Sequence, residues 1–502
     1  MSTVNKSEVF DKSNVQYKSK SVKLGKIYEA GINPYPNIFK PTHFSVELQS
    51  KYADLPADDS ECPDNVVVAG RVISIRNNGM FIDIVDRDGK IQIYSYEIST
   101  PKSELDKLSL LDTGDIIGVS GKIKRTKRGE LSVVAKNITI LSKSLQPMPE
   151  KYHGVTDVEL RYRQRYVDFM VNKDAKDIIL KRSVVISEIR KFLSERGFIE
   201  FETPIFHPVL GGASALPFTT HYNALNRNFY LRIATELYLK RLIIAGFDRV
   251  FEIGKDFRNE GIDTRHLPEF TMIELYQSYA DYNDMMEICE TLFNHLAQKL
   301  YGENVIEWNG NKINLSAPFK RVKLVEEVGK ILNCPNIMDL SDNAEEMWNI
   351  AKSNGIKLKG NETWGQVIEE VFDQRIEETL IQPTFLIDYP ADICPLTKKH
   401  RDNPKLAERF ELFIGGREFG NAYSELTDPV YQRQMFEDQM KKKELGDAEA
   451  SQQMDDDFLN ALEYGMPPTG GLGIGIDRLV MLMTGSTSIR DVVAFPTLRD
   501  IK

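Results

Sequence analysis

Residues 249–282 read RVFEIGKDFRNEGIDTRHLPEFTMIELYQSYADY. Two strand-like runs, 250–258 and 269–279, flank a polar loop that carries the turn formers Gly261, Asp263 and Pro268. The pattern predicts an antiparallel hairpin with a long loop. Successive strand side chains point to opposite faces, so Phe270, Met272, Glu274, Tyr276 and Ser278 share one face. A carboxylate between aromatic rings there is costly to bury unless it meets a cation. Arg258, Arg265 and His266, in or beside the loop, suit phosphate oxygens. Two readings stand: one hairpin joining an anion site, an aromatic platform and an ammonium site, or a surface hairpin with solvated charges.

Working outward, a chain of 502 residues is expected to hold two or three domains. Its 41% hydrophobic and 27% charged residues describe an ordinary soluble globular protein. No apolar run approaches a membrane span, and MSTVNKSEVFDKSNVQYK has no signal-peptide core, so no membrane association and a cytoplasmic location are expected. Cys62, Cys289, Cys334 and Cys394 form no CxxC pair, so neither a zinc knuckle nor a disulfide framework is suggested and buried free thiols are expected. The net charge of −10 argues against non-specific coating of nucleic acid. It leaves room for a local basic face, and Lys122, Lys124, Arg125, Lys127 and Arg128 are either that or a solvated run.

Residues 1–60 are polar, with a helix expected over 22–30 and an extended Pro-rich stretch over 31–43. Between 61 and 145, VVVAGRVISIR, MFIDIVD, KIQIYSY, DIIGVSGKIKR and LSVVAKNITIL are five short strands separated by turn signals, which predicts a five-stranded OB-fold barrel. Phe81, Gln92 and Arg76 suit stacking on and edge-reading of an unpaired base. Equally, Phe81 is core and Gln92 merely exposed. Residues 146–172 read as a hinge whose basic run, Arg161 to Arg165, either touches phosphate or is solvated.

The remainder, 173–502, segregates strands from helices and predicts an α+β domain with an antiparallel sheet flanked by helices. A helix capped by Asp174 ends at Gly197, and FIEFETPIF follows as a strand. A helix starts near Thr235, a helical insertion spans about 303–382, and a charged helix covers 429–464. In RFELFIGGREFGNAYSEL, strict alternation would put Glu411 and Glu418 on opposite faces, so a bulge at Gly415-Gly416 is expected to bring them together. Two converging carboxylates suit phosphate-bound Mg²⁺; solvated glutamates are the bland alternative. Asn421, Tyr423 and Glu425 share a face. In GGLGIGIDRL, Gly471, Gly473 and Gly475 alternate and predict a side-chain-free floor, with Arg478 at a strand-to-helix junction. The spacing is not that of a dinucleotide-binding fingerprint.

Together these pieces resemble the three signature motifs of class II aminoacyl-tRNA synthetases: the helix and strand ending at Pro204, FRNEGIDTRHLPEF, and GLGIGIDRL. A barrel ahead of the catalytic domain resembles the aspartate, asparagine and lysine subgroup. The phrases RYRQRYVD, GGASALPF, ATELYLKRL, EFTMIELYQSYADY, NAYSELTDP and SIRDVVAFP resemble its lysyl-tRNA synthetase family. The resemblance implies activation of L-lysine by ATP to lysyl-adenylate, transfer to the 3′ end of tRNA(Lys), Mg²⁺ as cofactor, and a homodimer built around the first motif.

It also implies roles. Arg258 would meet the α-phosphate, Phe270 would stack on adenine, Arg478 would lie beneath the base or on the γ-phosphate, and Glu260 and His266 would hold the nucleotide. Glu411 and Glu418 would ligate Mg²⁺. Gly212, Glu236, Glu274, Tyr276, Asn421, Tyr423 and Glu425 would hold lysine, and Arg76, Phe81 and Gln92 would read the central anticodon base. An aspartate pocket would need a facing cation, and these positions are acidic. The chain departs from the family pattern at Thr235, expected to cap its helix in place of the usual proline, and at Leu216 and Leu267, where polar residues are usual.

Overall fold

The computed structural model describes residues 14–149, 156–213, 215–444 and 454–500. The chain divides into two compact units, Met1–Thr156 and Asp157–Lys502.

In the first unit, β1 (Glu61–Arg76), β2 (Phe81–Val85), β3 (Lys90–Tyr94), β4 (Ile116–Arg125) and β5 (Leu131–Ser142) close into a barrel in the order β1-β2-β3-β5-β4. Alternation explains the inside: Ile82 and Ile84 on β2 and Ile91 and Ile93 on β3 are buried, leaving Phe81 and Tyr94 on the outer face. Asn77, Asn78 and Gly79 all adopt positive φ (49°, 53° and 93°), the conformation their side chains tolerate, and turn β1 into β2. The N-terminal helix is longer than expected, Val15–Glu29, because Asn14 caps it by accepting from the Gln16 N–H. Ile27 joins the barrel core.

The second unit is built on an eight-stranded sheet. Its parts, in chain order, are α1 (Lys173–Ser194), β6 (Ile199–Glu200), α2 (Glu236–Ile244), β7 (Arg249–Phe257), β8 (Glu269–Ser278) and α3 (Tyr282–Tyr301). There follow β9 (Lys320–Lys323), β10 (Thr384–Pro390), β11 (Leu406–Phe413), β12 (Glu418–Ser424), β13 (Thr469–Gly475) and α4 (Ile476–Thr484). The strand order is β9-β10-β11-β12-β13-β8-β7-β6, antiparallel except at the two edge pairs. One sheet face carries Ile273, Leu275, Phe410, Leu412, Leu472 and Ile474. These pack with Phe192 of α1, Met285, Cys289 and Phe293 of α3, and Leu479 and Leu482 of α4. Each such large apolar side chain contributes roughly 1.5–3 kcal/mol when fully buried. The opposite face is left for a site.

Several local expectations are corrected. Asn172, not Asp174, occupies the cap position of α1. The FIEFETPIF strand shrinks to two residues, because the Thr203 N–H turns to the Glu252 carboxylate and Pro204 has no N–H to offer a ladder. Gly415-Gly416 forms a hairpin turn, with positive φ at both (59° and 66°) and backbone hydrogen bonds exchanged between Ile414 and Arg417; the expected bulge lies just beyond it, where Phe413 pairs with Glu418 but Leu412 with Gly420, so that Phe419 is the extra residue. The 303–382 insertion is not wholly helical. It opens with a hairpin, Val305–Trp308 with Asn311–Asn314, and supplies edge strand β9 before its helices Leu324–Ile331, Ala344–Ser353 and Trp364–Arg375. The expected helix over 429–464 is two, Pro429–Glu444 and Asp456–Glu463; residues 445–453 lie outside the described residues.

The expected hinge also changes character. Residues 150–155 lie outside the described residues, and from Asp157 onward the segment belongs to the second unit as two short helices. Arg165 neither meets phosphate nor faces solvent. It is 1% exposed, ion-paired with Asp168, and donates to the Asp491 carbonyl at 2.7 Å. Asp168 also receives Arg161 at 2.9 Å. A buried charge requires such local partners.

Candidate active site and barrel face

The free sheet face is organised in two rungs. Cross-strand pairing aligns Glu252, Glu274, Gly473, Asn421 and Glu411 over five strands. One rung further along lie Val250, Tyr276, Gly471, Tyr423 and Arg409. A cleft of about 1390 Å³ opens over them. It is lined by every residue assigned above to lysine, ATP or Mg²⁺: Gly212, Glu236, Arg258, Glu260, His266, Phe270, Glu274, Tyr276, Glu411, Glu418, Asn421, Tyr423, Glu425 and Arg478. The hairpin is therefore not a solvated surface feature.

One end of the cleft is buried and acidic. Glu236 begins α2, Glu274 projects from β8 and Glu425 follows β12; all are under 10% exposed. Glu274 accepts from the Tyr276 hydroxyl at 3.0 Å and from the Thr235 N–H at 3.3 Å. Burial pushes the Glu274 carboxyl well above the ordinary range, reinforced by nearby Asp256 and Glu236. Burial likewise raises Glu425, against the opposing pull of Lys240. Thr235 stands at the cap position of α2, but its hydroxyl makes no cap bond and is buried without a partner; its backbone N–H serves Glu274 instead. Gly212 has φ +89°, and a Cβ there would lie 3.1 Å from that of Ala234. The glycine floor is uneven. A Cβ at Gly471 would meet Glu425 Oε1 at 2.0 Å and the Tyr276 ring at 2.5 Å, whereas at Gly473 the nearest atom would be 3.6 Å away.

The other end is more open and basic. Arg258 leaves β7 with its guanidinium 5.2 Å from the centre of the Phe270 ring, and its Nε is buried without a partner. The Asp263 carboxylate accepts from the backbone N–H groups of Arg265 and His266, which shapes the loop and, with His266, holds that carboxyl down at about 2. Arg478, in the first turn of α4, donates to the Glu418 carbonyl at 2.8 Å and to His266 Nε2 at 3.2 Å. A guanidinium only donates, so His266 Nδ1 carries the proton toward Asp263. Leu267 is 5% exposed and joins the main core, which explains why an apolar residue is accepted there. Leu216 contributes through its backbone carbonyl, which accepts from Asn259 N–H at 2.7 Å.

Between the two ends lie Glu411 and Glu418. Glu411 accepts from the Tyr389 hydroxyl at 2.8 Å and from Arg409 and Asn421, and its carboxyl is raised by burial and by Glu418. Among the described residues no group of three or more His, Cys, Asp or Glu is placed to enclose a metal by itself. Two carboxylates near enough to repel, between the acidic and the basic ends of the cleft, fit Mg²⁺, which commonly takes one or two carboxylates and completes its shell with phosphate oxygens and water. Sequence reasoning missed Lys240 and Arg409. Both had a signal: Glu236 and Lys240 are four apart on a helix, and Arg409 and Glu411 two apart on a strand.

On the barrel, Phe81 is half-buried on the outer face and stacks on Tyr94 (centroids 4.8 Å apart, 13° between planes), which stacks on Tyr96. Phe81 is therefore not core. Gln92 is 6% exposed and accepts from the Ser132 hydroxyl at 2.9 Å, so it is not simply solvated; Arg76 pairs with Asp83 at 2.9 Å. Of the basic run, Lys124 is buried against Asp59 and the Tyr94 and Tyr96 rings.

This architecture matches known proteins over nearly its whole length. Residues 157–499 match the model of class II tRNA synthetases (D, K and N), and residues 66–141 match that of OB-fold nucleic-acid-binding domains. The chain belongs to the class II tRNA synthetase family. Its relatives include lysine–tRNA ligases of Moorella thermoacetica (47% identical; 95% of this chain, 96% of that protein) and Bacillus subtilis (47%; 97% of each). That of Clostridium novyi is 48% identical over 97% of this chain and 95% of its own length.

Proposed function

We infer that this chain is an aminoacyl-tRNA ligase that activates L-lysine with ATP and transfers it to tRNA(Lys). The observation that carries the reading is the acidic end of the cleft: three buried carboxylates in the same cleft as Arg258 and Phe270. A substrate with a long apolar stem and two ammonium groups satisfies those carboxylates, and Tyr276, Asn421, Tyr423 and Gly212 complete its pocket. Phe270 stacks on the adenine ring. Arg258 sits where the substrate carboxylate and the α-phosphate meet and stabilises the charge that grows as carboxylate oxygen attacks phosphorus in line and pyrophosphate leaves. No protein nucleophile is required. Glu260, His266 and Arg478 hold the nucleotide, and Glu411 and Glu418 would hold Mg²⁺, which neutralises phosphate charge when bound. In the second step a hydroxyl of the terminal adenosine attacks the lysyl carbonyl and AMP leaves.

The outer barrel face, with Phe81 for stacking and Gln92 and Arg76 for edge contacts, is the anticodon reader. A homodimer is supported by exposed apolar side chains on α1 and just beyond it: Leu180, Val184, Ile199, Ile205 and Phe206. No helix among the described residues is long and apolar enough to cross a membrane, and a cytoplasmic place of action is part of the same reading. Lysine-dependent ATP–pyrophosphate exchange by the purified chain, with lysine charging of tRNA(Lys), tests it. Exchange with aspartate instead of lysine, or with neither, would overturn it.

A further inference from the structure

Lys240 is a charged residue of the acidic end with no role in the reading above. It lies on α2, one turn beyond Glu236, and is 0% exposed. Its Nζ is 2.5 Å from Glu236 Oε1 and also in contact with Glu425 Oε2. It does not line the cleft, whereas both of the carboxylates it meets do.

We propose that Lys240 is a specificity-determining positioning residue, a built-in ammonium that cancels one of three pocket carboxylates so that the site demands a ligand with two ammonium groups. This rests on the lysine reading above and goes one step beyond it. The charges can be counted. With ligand bound and all three carboxylates ionised, Glu236, Glu274 and Glu425 bring three negative charges, and Lys240 brings one positive charge. Glu274 has no cation: its partners are a phenol and a backbone N–H. The neighbouring acids have counter-charges of their own: Arg232 pairs with Glu252 at 2.6 Å and lies 3.3 Å from Asp256, which also feels Arg258, and Arg409 pairs with Glu411. Arg258 stands toward the phosphate end, beside Phe270. The remaining deficit is two positive charges, which matches the α- and ε-ammonium groups of lysine. A ligand with one ammonium leaves a buried carboxylate uncompensated, a costly outcome at low polarity.

Lys240 also fixes shape. With no cation behind them, Glu236 and Glu425 would repel each other. The Gly471 backbone, which leaves only 2.0 Å between a hypothetical Cβ and Glu425 Oε1, gives Glu425 no room to retreat. The ammonium holds the two carboxylates at one spacing, ready for a second cation in front of them.

The test uses the full chain and lysine-dependent ATP–pyrophosphate exchange. Lys240→Met, or Lys240→Gln if the first does not fold, is expected to raise KM for lysine about 10- to 150-fold, the worth of one lost charged hydrogen bond, with KM for ATP within about twofold. Lys240→Ala is expected to regain lysine affinity with added propylamine, which is cationic at neutral pH, and not with 1-propanol. An unchanged lysine KM, or equal rescue by the alcohol, would show that Lys240 only packs. One measurement needs no variant: pentane-1,5-diamine should inhibit the wild-type exchange at least about tenfold better than pentylamine, and equal potency would overturn the charge count. Wild-type protein that shows no exchange with lysine at all refutes the functional reading itself, and the inference with it.

Discussion

The two ends of the cleft are furnished in opposite ways. At the lysine end every charge is buried and already engaged: Glu236 and Glu425 with Lys240, Glu274 with Tyr276 and Thr235. At the phosphate end Glu260, Arg265 and His266 are exposed, and the histidine rests on Arg478 and Asp263. Low polarity is the reason. An ionised group without water must find partners within the fold, whereas an exposed one can await its ligand at little cost. The buried end is thus suited to selecting its ligand, and in the proposed reading the open end holds a nucleotide that every turnover replaces.

The contrast can be broken by substitution. Arg258→Ala should hit hardest: it removes the cation proposed to act at the reacting atoms, and exchange should fall about 10²–10³-fold, mainly in kcat. Gly471→Ala should come next. Its Cβ would displace Glu425 and Tyr276, so lysine affinity should collapse while ATP binding, followed by nucleotide fluorescence, persists; Gly473→Ala, with open space above it, should be far milder. Glu274→Gln should raise KM for lysine about 10- to 150-fold and leave that for ATP nearly unchanged. Phe81→Ala should weaken charging of tRNA by about 1–3 kcal/mol of binding and leave exchange intact; equal loss of both would remove the anticodon role.

Acidity gives the smallest and most diagnostic difference. Burial raises the Glu274 carboxyl above its ordinary 4.5, and its surroundings, Asp256, Glu236, Tyr276 and the Thr235 N–H, supply no cation. The native state therefore keeps a proton that the unfolded chain has lost. The stabilisation is fully present below pH 4.5 and fades as pH climbs through the raised native value. Lysine binding reverses the cause, because an ammonium favours the ionised form. Calorimetry in two buffers of different ionisation heat should show proton release on lysine binding near neutral pH, and no release with Glu274→Gln. Release by the variant as well would place the proton elsewhere.

Much of this was legible in the chain. The hairpin 250–279 announced itself by alternation and by turn residues, and the same alternation placed Glu274 and Tyr276 on one face. The five barrel strands were equally plain. What hid were features that depend on partners remote in sequence. KRVK at 320–323 is too short and too charged to read as a strand and becomes one only beside 384–387. Arg165 of RYRQRYVD looks solvated until Asp491 arrives from over three hundred residues away. Gly415-Gly416 was recognised as a backbone device, but the glycines make the turn and the bulge sits beside them at Phe419, a placement that only the pairing of Leu412 with Gly420 reveals. Lys240 sits among leucines and isoleucines, so its charge read as incidental although its spacing from Glu236 was in view.

The strand order has a consequence for how the molecule comes into being. β13, at 469–475, lies between β8 and β12. On a ribosome, the sheet would wait as two separate halves, each ending in an unpaired central edge, until that glycine-rich keystone emerged. The catalytic unit has no partial version of its site: the last strand to be synthesised is the one that brings the halves together.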